Sequence, residues 1–375
     1  MDELHDAELI TTPERLDQLA AQLLHAEAVA VDTEFFWERT FYPILGLVQL
    51  ANADGCWLID AVRLRDIRAL GPVLSSPDIT KVLHDAPQDL GILARATGAM
   101  PCAIFDTRLA AGFAGLASTC SLQVLLRETL NIELAKAETR SDWLRRPLSA
   151  NQLRYAAEDV LYLLKARETL LSRCPSETVR AWLAEDLARL DDPALYRDRD
   201  PRLMYLRVKG GARLDARQLA VLRELAAWRE DEARARDWPR GHVLPDDLLM
   251  TLAVQVPADR QAFFKLPDMP RGIPDAVVAD ALAAIARGRA VTDAECPQPL
   301  TDDFSSRRSL KPQSDRLLAH IAAACATYGV DPNLVASRAE ADAFVRSRSG
   351  GVVADHPLAT GWRKALVADF ALSPA

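Results

Sequence analysis

The stretch Val29-Ala30-Val31-Asp32-Thr33-Glu34-Phe35 decides the fold. Its uncharged start predicts a buried strand, and alternate residues of a strand point to the same face. Asp32 and Glu34 are therefore expected side by side, with Thr33 on the opposite face. Two adjacent carboxylates repel each other, which raises a pKa unless a cation lies between them, and oxygen ligands favour Mg2+ or Mn2+ over zinc. Taken alone, an Asp-x-Glu pair is more typical of a solvated strand edge.

Length and composition narrow the class of protein. A chain of 375 residues exceeds one ordinary core and predicts two or three domains. No apolar run reaches the roughly 20 residues of a membrane span, and the acidic start lacks a basic n-region, so we expect no membrane segment and no secretory signal. Six scattered cysteines without a C-x-x-C motif indicate reduced thiols in a cytoplasmic protein.

Charge is distributed unevenly along the chain. The net charge of −8 argues at first sight against a polyanionic partner. Residues 1–50 carry ten acids and two bases, whereas residues 202–240 carry ten Lys or Arg against six Asp or Glu. This pattern is compatible with a metal-dependent enzyme that acts on nucleic acid, although a solvated helix face explains the basic run equally well.

The order of predicted elements is that of an α/β domain with a mixed sheet, followed by two all-helical domains. A hairpin turn at 52–55 joins two of the strands, and linkers are expected at 191–201 and 292–312. Strands are predicted at 28–35, 46–51, 56–59, 79–84 and 103–106. Helices are predicted at 11–27, 64–75, 87–97, 106–114, 121–129, 149–172, 215–236, 245–254, 258–264, 274–288, 313–328, 331–336, 339–347 and 358–371.

Two further stretches offer carboxylates. In Lys81–Leu90 a strand ends at His84, and a helix that starts near Pro87 carries Asp89 in its first turn, where the positive helix end alone would favour an acid. In Gln152–Tyr162 the spacing of four residues stacks Tyr155 and Asp159 on one helix face. Each stretch by itself is better explained by ordinary helix structure, but together they supply acids from three separate elements.

The combination resembles the three exonuclease motifs of the DEDD superfamily, tyrosine branch: Asp32-Thr33-Glu34-Phe35, His84 with Asp89, and Tyr155-x-x-x-Asp159. The connecting sequence is more specific and is similar to the bacterial ribonuclease D family. This similarity is carried by Tyr42-Pro43-x-Leu45-x-Leu47-x-Gln49-Leu50, by Arg140-Ser141-Asp142-Trp143-Leu144-x-Arg146-Pro147-Leu148, and by Tyr155-Ala156-Ala157-x-Asp159-Val160-x-Tyr162-Leu163. Residues 215–290 resemble an HRDC domain, and 313–375 resemble the family's second, more divergent helical domain.

The resemblance implies a ribonuclease H-like exonuclease domain at 1–205, an HRDC domain at 210–292 and a second HRDC-like domain at 300–375. It also implies two divalent ions, Mg2+ or Mn2+. Asp32 would bridge them, Glu34 and Asp159 would complete the nucleophile-side ion, and Asp89 would support the other. Tyr155 would orient the attacking water, because a phenol with a reference pKa of about 10 is a poor base.

Four weaker candidates for substrate contact follow from the same motifs: His84, Gln49, Arg140 and Trp143. A His satisfied by backbone groups and a Trp in the core are alternatives at least as common. In the helical domains the candidates for salt-dependent phosphate contact are Lys209, Arg213, Arg217 and Arg223, with a plain solvated helix as the alternative.

The implied function is a hydrolytic 3′→5′ exoribonuclease that trims transfer RNA precursors and other small RNAs, with RNA as partner and no protein partner evident. Three alternatives remain open. A DNA exonuclease would keep the fold, but no polymerase region follows. A non-catalytic RNA-binding module would require the loss of an acid, and none is missing. A helical scaffold protein with an α/β cap would leave the motifs as coincidence.

Overall fold

The computed structural model describes residues 7–134, 141–299, 304–349 and 356–370. The chain forms two compact units. The first contains the described residues up to Phe36, those of Leu45–Arg197, and those from Ser305 onward. The second consists of Trp37–Ile44 and Asp198–Phe304.

The first unit is built on a mixed sheet, as the sequence predicts. Its six strands within the described residues follow the order β1-β4-β3-β2-β5-β6. The hairpin strands β3 and β4 pair antiparallel, whereas β1 with β4, β2 with β5, and β5 with β6 pair parallel. The strands are β1 Glu8–Ile10, β2 Ala28–Phe36, β3 Ile44–Asn52, β4 Gly55–Asp60, β5 Thr80–Leu83 and β6 Ile104–Asp106.

The two faces of the sheet bury separate sets of apolar residues. Val29 and Val31 of β2 pack on one side with the helices near the N-terminus, whereas Ala30 packs on the other with later helices. This alternation places Asp32 and Glu34 on the face of Ala30, and Thr33 on the face of Val31. The helices of this region are α1 Pro13–Leu23, α2 Ala61–Leu64, α3 Gly71–Ser75, α4 Pro87–Thr97, α5 Thr107–Phe113, α6 Leu122–Leu130, α7 Ala150–Leu161, α8 Leu163–Arg173 and α9 Glu177–Ala188.

Several predicted boundaries are wrong. The helix expected over 149–172 is two helices that meet at Tyr162, where the backbone leaves helical geometry at φ −105° and ψ −6°. The helix expected over 64–75 is broken between α2 and α3 by a residue with left-handed backbone, Arg65 at φ 61°. Strand β1 was not predicted, because a three-residue edge strand is too short to show a period. Helix α9 was also not predicted.

The region after residue 304 belongs to the same hydrophobic core as α5–α9. Asp331 accepts a hydrogen bond from the backbone N–H of Ser118 at 2.6 Å, and its own N–H donates to the carbonyl of Gly112 at 2.9 Å. The domain boundaries expected from the sequence, at residues 205, 210, 292 and 300, remain predictions. The helices here are α15 Phe304–Tyr328, α16 Arg338–Ser349 and α17 Arg363–Val367.

The second unit is helical around the long helix α10, whose N-terminus is fixed by a capping box between Asp215 and Gln218. Leu222 and Leu225 of α10 are fully buried against apolar residues of the neighbouring helices. None of the described helices combines the length and apolarity that a membrane crossing requires. The helices of this unit are α10 Ala216–Arg236, α11 Arg240–Val243, α12 Asp246–Gln255, α13 Arg260–Phe264 and α14 Asp275–Ala290.

Candidate active site

Three carboxylates come together at the end of β2. Asp32, Glu34 and Asp159 each offer an oxygen, and these oxygens all lie within 4.8 Å of one another. Strand geometry supplies the first two, and α7, which packs against β2, supplies the third. A capping box between Ser149 and Gln152 fixes the start of α7 and so the phase of its faces.

The pKa values of the cluster are raised. Burial raises the pKa of Asp32 well above its usual range, and the charges of Asp89, Asp159 and Glu34 raise it further. Burial, with the charges of Asp159 and Asp89, raises the pKa of Glu34 to about 9. Burial raises that of Asp159 to about 7. Within the described residues none of these acids forms an ion pair with a basic side chain, so the cluster lacks a cation of its own.

Asp89 reaches the site from the other face of β2. It lies in the first turn of α4, and its Oδ1 accepts a short hydrogen bond from the hydroxyl of Thr33. Burial raises the pKa of Asp89 to about 6, and the Thr33 hydroxyl opposes this shift. Asp89 is not one of the three acids that share the 4.8 Å cluster, but its charge raises the pKa of Asp32.

Asp106, at the end of β6, shapes the loop that leads to Asp89. Its carboxylate accepts hydrogen bonds from the backbone N–H groups of Asp85 at 3.1 Å and Ala86 at 2.9 Å, and from that of Arg108 at 2.8 Å. Asp85 has a left-handed backbone at φ 66°. Sequence reasoning missed this role. The available signal was an acid at the end of a strand parallel to β5.

Tyr155 is joined to the cluster through Asp159. Asp159 lies one helical turn after Tyr155, and the Tyr155 hydroxyl lowers the pKa of this carboxylate. Burial and the neighbouring carboxylates raise the pKa of Tyr155 above its usual value of about 10. The phenol is therefore protonated and able to donate a hydrogen bond across the neutral pH range.

Comparison with known proteins places this arrangement in a family. A family described as "3'-5' exonuclease" matches residues 7–174, and the HRDC domain family matches residues 218–285. Ribonuclease D of Desulfotalea psychrophila is 39% identical over 367 residues, which cover 96% of each chain. The chain belongs to the ribonuclease D family. The solved structure of Escherichia coli RNase D superposes with a TM-score of 0.84 at 29% identity and covers 97% of this chain and 96% of the other.

Membership of the ribonuclease D family makes this chain a 3′→5′ exoribonuclease with RNA as its class of substrate. The exonuclease fold of this family implies dependence on a divalent metal. The donor set fits such an ion, because three carboxylate oxygens converge and no basic side chain within the described residues neutralises them.

Three of the four weaker candidates for substrate contact are hydrogen-bonded or buried within the protein. The ring nitrogens of His84 are 3.0 Å from the Thr107 hydroxyl and 3.1 Å from the Cys120 carbonyl oxygen. Both nitrogens therefore have hydrogen-bond partners within the protein, as in the alternative considered for this residue. Gln49 is fully buried, and Trp143 is 2% exposed beside the Tyr155 ring. Such burial keeps both side chains from touching RNA directly. Arg140 lies outside the described residues.

Arg146, which belongs to the same family motif as Arg140, connects the segment before α7 to the sheet. Arg146 donates two hydrogen bonds to the Asp60 carboxylate, from Nε to Oδ2 at 2.7 Å and from Nη2 to Oδ1 at 2.8 Å. It also donates to the carbonyl oxygens of Trp143 and Gly46, both at 2.8 Å. This motif therefore ties the segment before α7 to β3 and β4.

The basic residues predicted to meet phosphate in the HRDC region are partly engaged. Arg217 pairs with Asp293 and donates to the Val291 carbonyl, and Arg223 donates to the Glu295 carbonyl at 3.2 Å. These two side chains fasten the turn after α14 to α10, which their sequence positions did not reveal. Lys209 and Arg213 are exposed.

Proposed function

We propose that this chain trims the 3′ ends of transfer RNA precursors and other small RNAs in the bacterial cytoplasm, and releases nucleoside 5′-monophosphates. The observation that carries the proposal is the convergence of Asp32, Glu34 and Asp159 beside the hydroxyl of Tyr155. The Escherichia coli relative is described as an exoribonuclease involved in structured RNA processing, which supports this choice of substrate. The six cysteines are free thiols, which suits a reducing compartment.

Two divalent ions, Mg2+ or Mn2+, would be held by the acids. Asp32, Glu34 and Asp159 would hold one ion, and Asp32 with Asp89 would hold the other. When bound, such ions lower the pKa of water and stabilise the charge that develops on the reacting phosphate. The hydrogen bond from Thr33 occupies Oδ1 of Asp89 and fixes the orientation of that carboxylate.

The reaction is hydrolysis of the last phosphodiester. The oxygen of a water molecule bonds to phosphorus as the water loses a proton, and the bond from phosphorus to the 3′ oxygen breaks as that oxygen gains one. The phosphate stays on the 5′ carbon of the released nucleotide. Tyr155 orients that water as a neutral phenol, because burial raises its pKa and so excludes it as a general base. Asp159, one helical turn away, would accept a hydrogen bond from the phenol and so orient it.

The decisive experiment follows nucleotide release from a transfer RNA with a 3′ trailer. With Mg2+ or Mn2+ the wild-type protein should shorten the RNA from its 3′ end, and the mononucleotide should carry a 5′ phosphate on mass spectrometry. Because electrostatic stabilisation is lost with the carboxylate, Asp32→Asn should lower the rate by roughly a thousandfold. EDTA should stop the reaction.

The matched control is Glu158→Gln, which removes the carboxylate next to Asp159 on a different helix face. Since it lies outside the cluster, it should change the rate by no more than about twofold. Full activity of Asp32→Asn would contradict the assignment of the site. Release of nucleoside 3′-monophosphates, or equal trimming of single-stranded DNA, would contradict the proposed reaction or substrate.

A further inference from the structure

Two exposed tryptophans stand out from the rest. All seven tryptophans lie in the described part of the chain, and Trp37 and Trp238 are 51% and 45% exposed. The other five are at least partly buried, and four of them are no more than 8% exposed: Trp57, Trp143, Trp182 and Trp362. Both exposed indoles belong to the second compact unit. An indole face that is exposed to water is available to stack on an aromatic ligand such as a nucleic-acid base.

Asp237 links these two indoles. The Trp37 Nε1–H donates to the carbonyl oxygen of Phe41 at 3.0 Å. The backbone N–H groups of Phe41 and Tyr42 donate to Oδ1 of Asp237 at 3.0 and 3.1 Å. Asp237 ends α10 with a left-handed backbone, and Trp238 is the next residue. Two successive hydrogen bonds and one peptide bond therefore connect the rings.

A buried anchor holds the segment that carries Trp37. Phe41 is 8% exposed and packs against Ala233 and Val243. The guanidinium of Arg240 lies 4.5 Å from the centre of the Phe41 ring, and Arg240 is itself paired with Glu230. Trp37 is thus presented on an ordered loop, which lowers the entropy lost when a ligand binds.

A cation lies beside the Trp238 ring, and another follows Trp37 closely in sequence. The guanidinium of Arg236 lies 5.2 Å from the centre of the Trp238 ring, and the same guanidinium pairs with Glu232. Arg39, two residues after Trp37, is exposed and forms no ion pair within the described residues. Aromatic faces next to cations are the combination that binds single-stranded nucleic acid, with bases on the rings and phosphates on the cations.

The sequence position of Trp37, close to Glu34, indicates which nucleotides of an RNA it would contact. This residue follows Glu34 by three residues, a separation that extended backbone spans in at most about 11 Å. A base stacked there would belong to the nucleotides closest to the 3′ end.

We infer that Trp37 and Trp238 form a stacking platform for the bases of the single-stranded 3′ segment of the RNA. Because every base has a π-face, the platform accepts any sequence. This inference rests on the proposed function, since it names residues that hold the substrate of the proposed trimming reaction.

The test measures binding without cleavage, in full-length protein that carries Asp32→Asn. Trp37→Ala and Trp238→Ala should each weaken the Kd for an unstructured RNA oligomer on the order of tenfold, because a base loses its stacking partner. Trp37→Phe and Trp238→Phe should retain most of the affinity. Leu203→Ala is the matched control, since it removes an apolar side chain of the same unit that is 54% exposed, and it should leave Kd unchanged.

A second measurement observes the two indoles directly when RNA binds. The same protein labelled with 5-fluorotryptophan should give seven 19F resonances, and the Phe variants assign those of Trp37 and Trp238. Addition of the RNA oligomer should shift these two. Unshifted resonances, or unchanged Kd in both folded alanine variants, would overturn the platform while trimming by the wild type still stands. Failure of the wild type to trim RNA would instead overturn the proposed function.

Discussion

Acids at the end of β2 and acids around α9 illustrate two ways of placing carboxylates away from water. Asp186 of α9 is 4% exposed and accepts two hydrogen bonds from Arg363, at 2.7 and 2.9 Å, and one from the indole of Trp362. Asp32, Glu34 and Asp159 have no such arginine within the described residues. A buried charge is stable only when it is paired. The acids without a partner are therefore the ones prepared to receive a cation from outside.

The contrast holds elsewhere in the molecule. Glu230, 1% exposed, is paired with Arg234 and Arg240, and Asp60, equally buried, is paired with Arg146. Arginine pairing thus accompanies Asp186, Glu230 and Asp60, which serve structure, whereas Asp106 serves structure through backbone N–H donors. Within the described residues the three acids of the cluster have no arginine partner, and counting acids along the sequence does not reveal this difference.

Removing the arginine from a compensated acid should have the largest effect on stability. Arg363→Ala leaves Asp186 with the Trp362 indole and a longer, exposed ion pair to Arg189 at 3.6 Å, so we expect the free energy of unfolding to fall by about 3 kcal/mol. Urea denaturation followed by circular dichroism measures the change.

The matched control is Arg180→Ala, which removes the arginine of an exposed pair with Glu177 on the same helix. Exposed ion pairs contribute at most about 1 kcal/mol, so this variant should stay near the wild type. Equal losses in Arg363→Ala and Arg180→Ala would break the distinction between the two groups of acids.

Metal binding at the uncompensated acids should have an intermediate, pH-dependent effect. The folded-state pKa of Glu34 is about 9 and that of Asp159 about 7, both above their unfolded values near 4, so the folded state binds more protons between pH 4 and 9. The contribution of these groups to stability is therefore present at low pH and is lost as the pH rises through the folded pKa values.

In EDTA the Tm should fall between pH 6.5 and 8, and Mg2+ should restore it by an increment that grows with pH. The difference between the two conditions cancels groups remote from the site, such as His356. Asp32→Asn removes one acid and should shrink the increment. An increment that stays constant or falls between these pH values would contradict the electrostatic account of the cluster.

The hydrogen bond that ties Asp89 to β2 should have the smallest effect on stability. Thr33→Val removes the hydroxyl with little change of shape, and a buried hydrogen bond contributes about 1 kcal/mol. The pKa of Asp89 should rise, because the bond from Thr33 lowers it. Urea denaturation and NMR titration of the Asp89 carboxyl measure the two effects. Thr33→Ser keeps the hydroxyl donor and serves as the control. If Thr33→Val and Thr33→Ser gave the same stability and the same pKa of Asp89, the hydrogen bond would have no role in holding Asp89.

Local periodicity was enough to predict two neighbouring pairs within the candidate site. The alternation of a strand places Asp32 beside Glu34, and the four-residue spacing of a helix places Tyr155 beside Asp159. Both patterns depend on neighbours within one element, which sequence displays directly. The mixed sheet was predictable for the same reason, because its central strands are long enough to show their period.

Contacts between elements were not predictable in this way. The hydrogen bond from Thr33 to Asp89 joins residues 56 positions apart, and the Asp106 carboxylate serves a loop 20 positions away. The burial of Gln49 and Trp143 depends on elements packed against them. The helix break at Tyr162 is likewise a tertiary effect, because α7 packs on β2 and β4 whereas α8 packs mainly on α5 and α6 and also contacts β2 and β5.

The segment Trp37–Ile44 has a consequence for dissecting the molecule. It leaves the strand that carries Asp32, yet it packs with Asp198–Phe304, and the chain returns to the first unit after Phe304. The backbone therefore passes from one unit to the other four times. Cleavage at any single crossing leaves the units covalently joined. A truncation after Arg197 would remove the residues that bury Phe41 and would remove Arg363, the ion-pair partner of Asp186 in α9. We therefore expect that neither unit can be produced by a single truncation.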